Sequence, residues 1–144
     1  MCLVANKINP KEGLNPEEFD ENGYITCWKA YDILYGKLRS PCYPKGATFV
    51  NPGWIVSDRR SKKISRANGD ITYAHCESNG VEHGIHVFLD EVEAKRTFGC
   101  DSCVIVPVRC HRSQLVAVGK YGIEAVFMKV FLKKADYKKA TKNE

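Results

Sequence analysis

The run from Gly84 to Cys110 constrains this chain more than any other part. It reads Gly-Ile-His-Val-Phe-Leu, then Asp-Glu-Val-Glu-Ala-Lys-Arg-Thr-Phe-Gly, then Cys-Asp-Ser-Cys-Val-Ile-Val-Pro-Val-Arg-Cys. The first piece suits a strand over Ile85–Phe88. Asp90 then stands where a helix cap belongs, and Glu93 follows three residues on, as in a capping box. Leu89, Val92 and Ala94 give the helix an apolar side, and Gly99 is a C-terminal stop. Cys103–Val106 is apolar enough for a buried strand. Pro107 cannot donate a ladder hydrogen bond, so the spacing predicts fraying or a bulge there. Strand, two-turn helix, strand is therefore the anchor, and so short a helix needs a sheet to pack on.

Further strands are expected over residues 24–31, 54–56, 71–76, 115–118 and 123–132, from β-branched and aromatic enrichment with partial alternation. Turns are expected at Tyr35-Gly36-Lys37, Asn68-Gly69-Asp70, Asn79-Gly80 and Gly119–Gly122. Pro16-Glu17-Glu18-Phe19 suits one helical turn, with Asn15 as its cap and Pro at its first position. Residues 41–53 hold Pro41, Pro44, Gly46, Pro52 and Gly53 and read as a long irregular loop. The organisation expected is an extended arm over 1–22, one domain over 23–132 and a basic tail over 133–144. The fold class expected is α+β: a twisted, mainly antiparallel sheet of five to seven short strands, with one helix over Glu91–Phe98 on one face.

With 144 residues, 44% hydrophobic and 27% charged, the chain has the size and balance of a globular domain with its own core. No apolar run approaches the roughly 20 residues that span a bilayer. The polar start of the chain does not read as a secretory signal. Together these predict a soluble, intracellular protein, whether in cytoplasm, nucleus or virion, that is not secreted. The seven cysteines are an odd number, so they cannot all pair within one chain. Free thiols packed as small apolar groups are the expectation.

Four constellations bear on chemistry. Cys100-Asp101-Ser102-Cys103 has the spacing by which two thiolates meet one zinc ion, with Cys76, His83, His86, Cys110 and His111 as further ligands. No second Cys-x-x-Cys pair accompanies it, and a plain turn before a strand is the simpler reading, so no cofactor is expected. Cys2 would be an N-terminal thiol beside its own amine if Met1 were removed; a cysteine buried in an N-terminal strand is the simpler account. His86 faces opposite to Ile85 and Val87 along its strand, and with Lys29 and Glu124 could serve acid–base work in a cleft. Lastly, Arg59, Arg60, Lys62, Lys63 and Arg66 crowd one segment, and Lys133, Lys134, Lys138, Lys139 and Lys142 crowd the C-terminal end. Such clusters meet phosphates or an acidic protein surface. Tyr24, Trp28, Tyr31, Tyr35, Tyr43, Phe49 and Trp54 add aromatic rings, of which Trp28 and Trp54 are the leading candidates to stack on bases.

Two resemblances attach to these residues. Met1-Cys2-Leu3, Cys27–Tyr31, the run Gly36–Pro41, and Gly84–Phe88 followed by Glu93-Ala94 resemble a loose group of small proteins of phages, large DNA viruses and bacteria. That resemblance implies a viral or phage-type origin. Gly84, His86 and Ala94 also resemble the pattern of small ADP-ribosyltransferase-like domains. That second resemblance implies NAD as cofactor, with Lys29 where the family has Arg or His in its first strand, and Glu124 as catalytic acid. The expectation carried forward is a non-catalytic viral or phage-type interaction protein that meets an acidic protein surface or nucleic acid through its basic loop and tail, and self-associates or joins a virion. An NAD-dependent transferase and a dedicated nucleic-acid-binding module are the alternatives.

Overall fold

The computed structural model describes residues 13–39, 49–56, 84–98, 103–119 and 122–142, and the backbone alone of 2–5, 65–67 and 70–74. The expectations placed on residues 41–48, 57–64, 68–69, 75–83, 99–102 and 120–121 lie outside the described residues.

Among the described residues eleven strands form two antiparallel sheets, accompanied by two α-helices. The smaller sheet orders β1 (Cys2–Ala5), β6 (Asp70–Ala74) and β5 (Ser65–Ala67) side by side. The larger has eight strands, in the order β4 (Gly53–Val56), β11 (Lys129–Leu132), β8 (Cys103–His111), β2 (Tyr24–Leu34), β7 (Ile85–Phe88), β10 (Glu124–Phe127) and β9 (Leu115–Val118), with β3 (Lys37–Arg39) also on β2. The class is α+β as expected, but the larger sheet alone exceeds five to seven strands.

The order of the larger sheet shows that it rolls. Strands β10 and β11 are separated by β8, β2 and β7 in the order, four inter-strand spacings, which would be about 19 Å in a flat sheet. Only Met128 separates them in the chain, so their facing ends are within about 7.6 Å. The single strand expected over 123–132 is therefore two strands bent at Met128, whose N–H donates to the Gln114 carbonyl at 2.9 Å. One bent segment thus lines both ends of the roll, as strands do at the corners of barrels.

Rolling gives the sheet an inside and an outside. The inner rows carry Cys27 and Tyr31 from β2, Val106, Val108 and Cys110 from β8, Val87 from β7, Phe127 from β10 and Val130 and Leu132 from β11, and these form one buried cluster. Each such aliphatic side chain removed from water contributes about 1.5–3 kcal/mol before entropy. Leu14 and Phe19 join the cluster from either side of a 3-10 turn over Pro16–Glu18, where the Asn15 N–H donates to Glu18 Oε2 at 2.7 Å.

The helix α1 (Glu91–Phe98) lies on the outer face, with Phe98 edge-on to Phe88 at 5.7 Å and Ala94 fully buried. Asp90 caps it, accepting the Val92 N–H at 2.9 Å. Glu93 pairs with Arg96 at 3.1 Å. The segment expected to be a tail forms a second helix, α2 (Lys134–Thr141), whose Tyr137 and Ala140 pack on the inner cluster. The fraying expected at Pro107 is absent: β2 and β8 stay in register from Tyr24–His111 to Asp32–Cys103, with Pro107 opposite Trp28. On the far side β11 meets β8 at Phe131–Arg109 and ends one residue later, so the missing N–H falls where the ladder runs out. No helix among the described residues is long and apolar enough to cross a membrane.

Candidate nucleic-acid interface

Pairing decides which side chains share the outer face. Trp54 pairs with Phe131, Phe131 with Arg109, Arg109 with Thr26, and His111 with Tyr24. Partners in an antiparallel ladder point to the same side, and side chains alternate along each strand. The outer rows of β4, β11, β8 and β2 therefore carry Trp54 and Val56; Lys129 and Phe131; Arg109 and His111; and Tyr24 and Thr26. Lys133, extended at φ −67° and ψ 141°, continues the Lys129–Phe131 row. Helix α1 covers the other half of this face, over Phe88.

The open half is aromatic and basic together. Trp54 is 52% exposed and stands edge-on to Phe131, with centroids 5.2 Å apart. The Arg109 guanidinium lies 4.8 Å over the Tyr24 ring, and Tyr24 meets His111 edge-on, also at 4.8 Å. Arg109 Nη2 donates to Asp20 Oδ2 at 2.9 Å. Asp20 is itself fixed, because its Oδ1 accepts the N–H groups of Asn22 and Tyr24, each at 2.9 Å. The Tyr24 N–H does most to hold the Asp20 carboxyl below its ordinary pKa; desolvation opposes this, and Asn22 and Arg109 add to the lowering. His111 Nδ1 accepts the Ser113 N–H at 3.1 Å, so Nε2 carries the proton and donates to the Asn22 carbonyl at 3.0 Å. Gly23 makes room for this ring: at φ +85°, a Cβ there would lie 2.7 Å from His111 Nε2.

The residues expected to act in catalysis are placed differently. Glu124 pairs with Phe88 and His86 with Val126, so His86 and Glu124 are diagonal neighbours on the outer face. His86 is 5% exposed, so its ring faces protein rather than solvent. Burial raises the Glu124 carboxyl above its ordinary range, and the charge of Lys29 partly offsets that. Alternation along β2 assigns Lys29 to the row of Cys27 and Tyr31, away from His86.

Trp28 is half-buried and pairs with Phe88 on the half that α1 covers. Of the other aromatic candidates, Tyr31 is core, Tyr35 is 83% exposed at the β2–β3 hairpin, and Phe49 is 43% exposed beneath the Lys37 ammonium; Tyr43 is outside the described residues. Arg59, Arg60, Lys62 and Lys63 also lie outside them; Arg66 is on β5 opposite Ile71. Cys103 begins β8 and is half-buried, while Cys100 is not among the described residues. Among the described residues no three His, Cys, Asp or Glu side chains form a group able to hold a metal. Sequence reasoning missed Phe131, Arg109 and Asp20. The alternation Lys129-x-Phe131-x-Lys133 was the available signal, but only pairing tells which row faces out.

No protein-family model, curated protein or solved structure matches the chain.

Proposed function

We propose that the chain is a non-catalytic binding module that takes single-stranded nucleic acid on the open half of its outer sheet face. Bases stack on Trp54 and its neighbour Phe131, while Lys129 and Lys133 meet the flanking phosphates. The observation that carries this reading is the half-exposed Trp54–Phe131 pair set between two exposed lysines of one strand row. Aromatic platforms lined by cations bind single strands with little sequence demand, because every base has a π-face. The chain also leaves this face at Val56 and runs directly into Arg59, Arg60, Lys62 and Lys63, and its net charge of +5 favours an anionic ligand.

The test is fluorescence anisotropy with a labelled oligothymidylate of about ten nucleotides. Trp54 sits on an edge strand and is half-exposed, so Trp54→Ala leaves the core intact and is expected to weaken binding about 5- to 100-fold. Replacing Lys129 and Lys133 by Gln together is expected to flatten the slope of log K against log salt by about 1.4, two single-strand contacts at ~0.7 each. No binding, or binding that ignores salt and Trp54, refutes the reading. Salt-sensitive capture of acidic polypeptide in place of oligonucleotide would assign the face to a protein partner instead.

A further inference from the structure

We infer that Arg109, held over Tyr24 and tied to Asp20, gives this face a preference for guanine. The inference rests on the nucleic-acid reading above and deepens it. Lysines at 129 and 133 are mobile point charges and carry no base information. Arg109 differs in three ways. Its guanidinium carbon lies over the Tyr24 ring, 4.8 Å from the centroid. One of its nitrogens is tied at 2.9 Å to a carboxylate that two backbone N–H groups hold in place. Its side chain is nonetheless 36% exposed. A guanidinium has five N–H donors, so one bond to Asp20 leaves several for a ligand on a part-exposed, tethered side chain.

Charge decides what those donors suit. The adjacent Asp20 carboxylate offsets the Arg109 charge and repels a phosphate, so the pair is a weak site for the backbone. It remains a strong donor array for a neutral acceptor edge. Guanine offers two adjacent acceptors, N7 and O6, in the geometry that arginine meets with two parallel bonds, whereas thymine has no such pair on that edge. A base stacked near Trp54 and Phe131 has its neighbours along the strand within reach of Arg109, because Phe131 and Arg109 are direct cross-strand partners.

The experiment compares the full chain's affinity for three oligonucleotides of about ten nucleotides: thymidine only, thymidine with scattered single guanines, and thymidine with scattered single cytosines. Lithium buffer suppresses guanine self-association. The guanine-bearing strand is expected to bind about tenfold tighter than the other two. In Arg109→Lys that ratio is expected to fall to about one, because an ammonium cannot make the paired contact. Asp20→Asn supplies a second variant. Its side-chain oxygen still accepts the Asn22 and Tyr24 N–H groups, but its amide nitrogen cannot accept from Arg109. The ratio should fall there too, with the far-ultraviolet circular dichroism unchanged, which a role in folding alone would not produce. Equal binding of all three strands, tighter binding of cytosine, or a ratio preserved in both variants overturns the guanine assignment and leaves the nucleic-acid reading standing. Binding to none of the three overturns both.

Discussion

Tyr31→Phe should make this protein more stable. Tyr31 is 1% exposed in the inner cluster, opposite Val104, and among the described residues its hydroxyl has no hydrogen-bond partner. A buried polar group without a partner costs about 1–3 kcal/mol in desolvation. Removing the oxygen forfeits a few contacts worth ~0.1–0.2 kcal/mol each. The net gain is about 1 kcal/mol, or about 3 °C in Tm for a chain of this size. A pH arm sharpens the test. Burial, with Cys110 adding to it, raises the Tyr31 pKa far above its ordinary value. Above about pH 10 the unfolded chain therefore loses a proton that the folded chain keeps, and stability falls as pH rises. That alkaline fall should be shallower in the Phe variant. Urea unfolding at neutral and alkaline pH measures both effects. A Phe variant destabilised by about 1 kcal/mol or more would mean that the hydroxyl is satisfied, and the reasoning would fail.

Gly23→Ala places a Cβ against His111 at a positive φ and should cost about 2 kcal/mol in urea unfolding; a loss of only a few tenths would show that the turn adapts freely. Glu124→Gln should be more stable than the parent at neutral pH. Burial raises the folded-state pKa, so the folded protein binds the extra proton and stability is lost as pH rises from the ordinary carboxylate value through the raised one. Thermal melts between mildly acidic and neutral pH check this, and identical profiles for parent and variant would contradict it. Tyr35→Asn should stabilise by about 1 kcal/mol, since Tyr35 (φ 53°) and Gly36 (φ 71°) both occupy the left-handed region that suits Asn-Gly in a two-residue hairpin turn. An unchanged or lower Tm would indicate that the exposed ring makes a contact the hairpin needs.

The sequence made local structure legible and pairing illegible. Helix α1 could be bounded because its signals are local: Asp90 bonds the second helical N–H, acidic residues open the helix, and basic residues close it. Strand β2 was visible from its aromatic and β-branched residues, although it runs to Leu34. Nothing local announces that residues 124–132 bend at Met128 and take partners at both ends of the sheet, because both halves keep strand-like composition. Helix α2 was read as a basic tail for a related reason. Its buried side is little more than Tyr137 and Ala140 among lysines, too few apolar positions to mark a period. The candidate interface suffered most. Trp54 could be named from the sequence, but Phe131 and Arg109 became neighbours of it only through two successive ladders.

The open half-face also follows from a mismatch of lengths. Helix α1 has eight residues and is about 12 Å long, whereas β8 beneath the same face has nine and runs about 30 Å. The helix cannot cover the strand, so the end bearing Arg109 and His111, with β11 and β4 beside it, stays uncovered. A half-exposed tryptophan on an edge strand invites pairing with another chain, and lysines are one means by which proteins blunt such edges. Edge protection alone would be served by charge of either sign. Here Lys129 and Lys133 are both positive, and the nearby acid, Asp20, is bonded to Arg109, whose charge it offsets. Uniform sign is what an anionic ligand requires, and its cost to the free protein, mutual repulsion among the cations, is the quantity that the salt dependence of binding would read.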